Sequence, residues 1–337
     1  MLTFFSHNDI ENLTNTRKGE IKLGENVTTL NPKKQLFVEL ENSDALFVIL
    51  GVPEDIGVRM NYGLGGAHTA FIPALKALLN IQENQFITGN DILVLGYLDC
   101  LNEVVNFDPT NRKKGDTIVN KIDDKLSEII QIIIESNKIP IIIGGGHNNA
   151  FGNLKGLSLA KKQPINAINL DAHTDLRLLE KRHSGNGFSY ALKEGFLQNY
   201  FIFGLHENYT PQYIFDLIHN NINIEYNTFE ELAIYKTTRF ESELTRAKNF
   251  IKNAPFGIEI DLDCIQNFPS SAITPSGFTP EQTREFVYTF GKLNLASYLH
   301  ICEGAPAISN HSIATNLVGK FISYLISDFI KAKKYSY

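Results

Sequence analysis

Cysteine is scarce: Cys100, Cys264 and Cys302 are the only three in 337 residues. Three scattered thiols cannot build a disulfide framework, so a reducing, cytoplasmic setting is expected. Positive charge is not in excess either. Lysine and arginine number 31 against 37 acidic residues, giving a net charge of −6 and a pI near 5.9. No basic patch stands out, so neither nucleic acid nor a membrane surface is an expected partner. The opening Met1-Leu-Thr-Phe-Phe-Ser-His-Asn-Asp9 lacks the basic region and long apolar core of a signal peptide. No apolar run approaches the roughly 18–20 residues that cross a bilayer. There is also no repeat, low-complexity tract or linker at which to divide the chain.

What is there is apolar and periodic. With 43% hydrophobic and 20% charged residues, the chain can fill a large core. Strand-like runs recur at Leu46–Leu50, Ile92–Tyr97, Ile139–Ile143, Ile165–Leu170, Tyr200–Phe203, Phe256–Leu262 and Ala296–Ile301. Helical patterns lie between several of them. Thr117–Asn137 spaces Ile118, Ile122, Leu126, Ile129 and Ile133 along one face. Thr279-Pro280-Glu281-Gln282 reads as a capping box that starts a helix running to about Lys292. Ala70–Leu79 and His311–Lys331 read as further helices. The alternation implies an α/β fold, a mostly parallel sheet covered on both faces. The expectation is one domain over residues 1–337, with 1–45, polar and weakly patterned, as a peripheral extension.

Chemistry concentrates where the apolar runs end. Asp171-Ala-His173-Thr-Asp175 follows Ile165–Leu170 directly, with metal-capable side chains at i, i+2 and i+4. Extended backbone would put all three on one face. Asp261-Leu-Asp263 closes another run, and His147 follows a third through Gly144-Gly145-Gly146. Ligands bind outside the carboxyl ends of strands in open parallel sheets, so topology should bring these residues together. Four Asp and two His, with no thiolate, suit Mn²⁺ better than Zn²⁺ or Fe²⁺. Six ligands are many for one catalytic ion and fit two sharing carboxylates. The triple glycine is not followed by Lys-Ser/Thr, which argues against a phosphate loop. A second glycine-rich segment, Gly51 to Ala67, reads as a mobile or irregular loop over the site.

Gly-Gly-Gly-His147, Asp171-Ala-His173-Thr-Asp175 and Glu259-Ile-Asp261-Leu-Asp263 resemble the three signatures of the ureohydrolase (arginase/agmatinase) family, in the same order, over about residues 45–330. The resemblance implies a three-layer α/β/α sandwich and two Mn²⁺ ions. It also implies hydrolysis of a small amidine or guanidine, and a homo-oligomer. By motif position Asp171 and Asp261 bridge the ions, His147 and Asp175 complete one, and His173 and Asp263 the other. His183 matches the family's proton-shuttling histidine, and Glu303, in Cys302-Glu-Gly-Ala-Pro306, the acid that binds the amidinium. Ser309 stands where the family usually has Asp.

Within the family, Val52-Pro-Glu-Asp-Ile-Gly-Val-Arg59-Met-Asn61, Asp175-Leu-Arg177 and Arg182-His183-Ser184-Gly185 resemble the formimidoylglutamase branch. That branch implies conversion of N-formimidoyl-L-glutamate to L-glutamate and formamide. Arg177 would then clamp a carboxylate bidentately, with Asn186 and Asn208 as further substrate contacts. An exposed Arg177 paired with Glu180 or Glu54 is the plainer alternative. The rival activity is a guanidino hydrolase (arginase, agmatinase or a guanidino-acid ureohydrolase) releasing urea. More distant are a single-zinc deacetylase relative and a metal-binding scaffold without turnover, the latter suggested by Asn148 and Ser309.

Overall fold

In the computed structural model, residues 1–308 and 312–334 are described. Nine strands form one sheet in the order β1-β3-β2-β4-β9-β8-β5-β6-β7. They are β1 (Leu2–Phe4), β2 (Phe47–Gly51), β3 (Ile92–Leu98), β4 (Ile139–Ile143), β5 (Ile165–Leu170), β6 (Leu197–Leu205), β7 (Ile224–Thr228), β8 (Phe256–Asp261) and β9 (Ala296–Cys302). All neighbours pair in parallel except β1, which runs antiparallel to β3.

Strand parity divides the core. Phe47 and Ile49, Phe201 and Phe203, and Ile258 and Ile260 face one apolar cluster; Val48 and Leu50, and Tyr200 and Ile202, face the other. Successive side chains of a strand point to opposite faces, so a sheet apolar on both faces needs two helical layers. Phe71–Leu79, Phe240–Ile251, Pro280–Gly291 and Ser312–Lys334 supply the first layer, and Arg112–Glu135 and Ala150–Lys161 the second. This is the expected three-layer α/β/α sandwich. The Thr279 box forms as expected: Gln282 N donates to Thr279 Oγ1 (3.2 Å) and Thr279 N to Gln282 Oε1 (3.0 Å).

Four expectations change. Residues 1–45 are not simply wrapped outside: β1 joins the sheet edge, and Ile10, Leu23 and Leu40 are fully buried. Short elements with single buried residues leave no periodicity to read. Ser312–Lys334 is long and apolar enough to cross a membrane by length and composition, yet 67% of its apolar window is buried within the protein. Its charged residues are too few to interrupt the apolar stretch. The Gly51 to Ala67 segment is irregular but pinned, carrying the short helix Ile56–Met60 with Glu54 and Asp55 buried. Asp55 accepts from Gly66 N (2.7 Å), lies 2.5 Å from His68 Nδ1 and pairs with Arg59 (2.8 Å). Finally, the 171–175 cluster is not strand. β5 stops at Leu170, and Asp175 takes φ +49°. Side chains converge there by a turn rather than by alternation.

Candidate metal centre

Four adjacent strands deliver the site. β4 leads to His147, β9 to Glu303, β8 to Asp261 and β5 to Asp171. Between β4 and His147 the backbone turns through Gly144 and Gly145 at φ +85° and +79°. A Cβ on Gly145 would lie 2.6 Å from the Val52 carbonyl, so the glycine is required there. Glu54, fully buried, ties this turn down. It accepts from Gly146 N (3.2 Å), Ile56 N (2.8 Å) and the side-chain amides of Asn148 (3.0 Å) and Asn149 (2.8 Å).

Three groups of potential ligands result. His147, Asp171, Asp175 and Asp261 form one, and His173, Asp261 and Asp263 a second, with Asp261 common to both; the third, His147, His300 and Cys302, shares only His147 with the first. His147 Nδ1 lies 2.8 Å from Asp175, 3.2 Å from Asp171 and 3.2 Å from Asp261. His173 Nδ1 lies 3.5 Å from Asp171. The turns aim these side chains through their own backbone: His173 N donates to Asp171 Oδ1 and Asp263 N to Asp261 Oδ1, both at 2.7 Å. Asn169, itself bonded to Tyr200 OH (2.9 Å), donates to Asp171 Oδ2 (2.9 Å).

The electrostatics call for cations. Burial, then the charges of Asp263 and Asp171, push Asp261 well above the usual carboxylate range. Burial raises Asp175 and Asp263 as well. Burial opposes ionisation of Asp171 too, but the adjacent His147 and His173 imidazoles hold it low. Behind His147, Glu259 is buried, yet the adjacent His300 keeps it down at about 2. Among the described residues His147 Nδ1 makes no hydrogen bond despite three carboxylates within reach. A buried polar atom without a partner is costly. A nitrogen lone pair and crowded carboxylates facing one point suit divalent ions, and Asp261 is shared between two such groups.

All the ligands but Asp171 line a cavity of about 200 Å³, with Val58, Asn61, Tyr62, Arg177, Tyr209 and Tyr213 among its other walls. Glu303 lies in it at φ +62°, accepting from His147 N (2.7 Å) and from Ser271 Oγ. Burial, then Asp263 and Asp261, push its carboxyl well up. Arg177 is exposed on the wall. Glu180 is instead bonded to His183 and Glu54 is buried under its own donors; among the described residues Arg177 forms no ion pair.

Three expected site residues fall elsewhere. His183 is 1% exposed and not on the cavity wall. Its Nδ1 accepts from Gly185 N (3.1 Å), and its Nε2 lies 3.0 Å from Glu180 Oε1. Burial, opposed by Glu180, lowers its pKa to about 4. Both ring nitrogens have partners within this loop, where His183 shapes the turn. Asn186 is fully buried, its Oδ1 accepting from Arg182 (2.6 Å) and His183 N (3.1 Å). Asn208 is exposed and off the wall; its neighbour Tyr209 lines the cavity instead, stacked on His173 (5.4 Å) and His206 (5.3 Å). Ser271 carried no signal, since its approach to Glu303 is set by folding alone. Ser309 lies outside the described residues, and Asn148 is buried under Glu54 and off the cavity wall.

The arginase-family sequence model matches residues 45–327. The chain belongs to the arginase family. Among arginase-family relatives, a formimidoylglutamase of Streptococcus pyogenes serotype M3 is 29% identical over 296 residues, covering 83% of this chain and 84% of the relative. Two solved structures share the arginase-family fold. The formimidoylglutamase of Bacillus subtilis gives a TM-score of 0.73 at 16% identity, covering 96% of this chain and 95% of that one. A Trypanosoma cruzi formiminoglutamase variant with Mn²⁺ gives 0.69 at 18% identity, covering 93% and 98%.

Proposed function

We propose that this chain hydrolyses N-formimidoyl-L-glutamate to L-glutamate and formamide, using two Mn²⁺ ions per subunit. One observation carries the reading: two ligand groups sharing Asp261 lie at a cavity whose wall holds Arg177, a cation without an acidic partner among the described residues. The names of the relatives and the Mn²⁺ in the Trypanosoma cruzi structure point the same way.

His147, Asp171, Asp175 and Asp261 would hold one ion, and His173, Asp261 and Asp263 the other. When bound, such a pair supplies Lewis acidity and a water of lowered pKa. The remaining work belongs to side chains. Arg177, at the wall, binds a substrate carboxylate by two parallel N–H bonds. Glu303, at the floor, accepts from the planar amidine and so fixes which face of its carbon meets the ligand groups. Ser271 and His147 N hold that carboxylate in place. Tyr62, Tyr209 and Tyr213 give the mouth apolar walls that limit water.

The test is a manganese-reconstituted assay with formimidoylglutamate, arginine, agmatine and guanidino acids side by side. Formamide from the first, without urea from the others, is expected. Urea release in preference to formamide would overturn the substrate assignment in favour of a guanidino hydrolase.

A further inference from the structure

His147 has a second ring nitrogen, and it faces away from the other ligands. Nε2 is buried, has no hydrogen bond among the described residues, and lies 3.5 Å from Glu259 Oε2. Glu259 stands two residues before Asp261 on β8 and is fully buried. It is held from the neighbouring strand β9. Tyr298 OH donates to its Oε1 at 2.5 Å, and His300 Nδ1 lies 2.5 Å from its Oε2. His300 is the register partner of Glu259 in the parallel ladder, so this arrangement is built into the sheet. Among the described residues no lysine or arginine pairs with Glu259. A carboxylate this deep is retained only where hydrogen-bond donors compensate it.

The tautomer of His147 supplies the missing donor. An imidazole nitrogen that binds a metal presents its lone pair, so the proton sits on the other nitrogen. With Nδ1 turned to Asp171, Asp175 and Asp261, the N–H is at Nε2, on the Glu259 side. Cys302 also approaches His147, but its thiol is directed to the Ile260 carbonyl at 3.5 Å. At 3.5 Å the Nε2 to Glu259 contact is longer than a formed hydrogen bond. A small tilt of the ring closes it.

We propose that Glu259, held by Tyr298 and His300, is a positioning residue that takes the Nε2–H of His147 and thereby fixes the Nδ1 lone pair on the metal. The inference rests on His147 being a metal ligand. Outer partners of ligating histidines orient the ring and raise its basicity, and losing one typically weakens metal binding about 10–100-fold. Glu259 touches neither the cavity wall nor substrate, so its loss should move metal affinity and leave substrate affinity alone.

The experiment is a manganese titration, followed by calorimetry and by the electron paramagnetic resonance of free Mn²⁺, on the full chain. Wild type should bind two ions. Glu259→Gln should bind one of them about 10–100-fold more weakly, with the other unchanged. At saturating manganese its kcat should recover with KM at the wild-type value. Tyr298→Phe and His300→Gln should each give smaller losses at the same ion. A folded Glu259→Gln protein with wild-type affinity for both ions would overturn the proposal. If that variant does not fold, Tyr298→Phe, lacking only a hydroxyl, decides by the same measurement, and unchanged affinity overturns the proposal. A wild-type chain binding fewer than two ions is a different failure, because it removes the binuclear reading and the proposal with it.

Discussion

His147 Nδ1 lies 2.8 Å from Asp175 Oδ2 and makes no hydrogen bond to it. The two residues leave different strands, β4 and β5, and among the described residues neither of these two atoms has a hydrogen-bond partner. Such a pair is arranged for a third body, and the body that suits both is a cation.

That arrangement makes Asp261→Asn informative in two directions. Asp261 belongs to both ligand groups, so activity and manganese binding should fall by more than the roughly 10–100-fold that an outer partner costs. Without metal the sign reverses. Burial and the Asp263 and Asp171 charges raise the folded-state pKa of Asp261. An ionised Asp261 therefore costs the metal-free fold stability, increasingly as pH rises above the unfolded value near 4. Denaturant melts at neutral pH with a chelator should show Asp261→Asn more stable than wild type by about 1–4 kcal/mol. Full activity in this variant would rule out the binuclear reading.

How much of this was readable beforehand depends on range. The ligand set lay at the ends of apolar runs, and a mostly parallel sheet then followed from the α/β alternation; both are local signals. Glu259 was readable as well, since parity puts it on the same face as Asp261. What failed was anything decided across the fold. His183, Asn186 and Asn208 lie in loops next to the site, but loop side chains have no parity to say which way they face. His183 turns inward to Glu180 and Gly185 N. Edge strands β1 and β7 were missed because the first has three residues and the second mixes Glu, Tyr and Asn into its pattern.

Arg177→Ala should raise KM for a carboxylate-bearing amidine roughly 10–100-fold, as expected for losing a charge-assisted pair. Because Arg177 has no ion pair to release among the described residues, the fold should be undisturbed and kcat little changed. Arg177→Lys should recover only part, since an ammonium cannot make two parallel bonds. Steady-state kinetics decide: an unchanged KM removes Arg177 from substrate binding.

His183 should show up in stability and not in proton transfer. Its folded-state pKa is lowered to about 4 from an ordinary 6.5, chiefly by burial. The folded protein holds it neutral, so its contribution is present above pH 6.5 and is lost as pH falls through 6.5 toward 4. The size is about 1–3 kcal/mol. His183→Asn should flatten the acid limb of a stability profile while leaving the shape of the kcat profile unaltered. A lost basic or acidic limb in kcat would restore the shuttle role.

Arg182 is the joint between the helical layer and the cavity wall. It is 1% exposed. It donates to both oxygens of Asp123 (2.9 and 3.3 Å), to the Asn148 carbonyl (3.0 Å) and to Asn186 Oδ1 (2.6 Å). Burial pushes Asp123 up to about 6 even against the adjacent guanidinium. Arg182→Met leaves that carboxylate unpaired, and stability should fall by about 3–5 kcal/mol at pH 8. At pH 5 the loss should shrink, because a protonated Asp123 no longer needs a cation. The double variant Arg182→Met/Asp123→Leu removes both charges and should recover most of the stability. It should not recover activity to the same extent. Asn148 and Asn186 still lose their donor, and the turn they hold carries Ser184 and Gly185 onto the cavity wall beside Arg177. A double-mutant cycle in urea, with kcat/KM measured on the same four proteins, separates the two contributions. Stability and activity recovering together would mean that Arg182 serves only to balance charge.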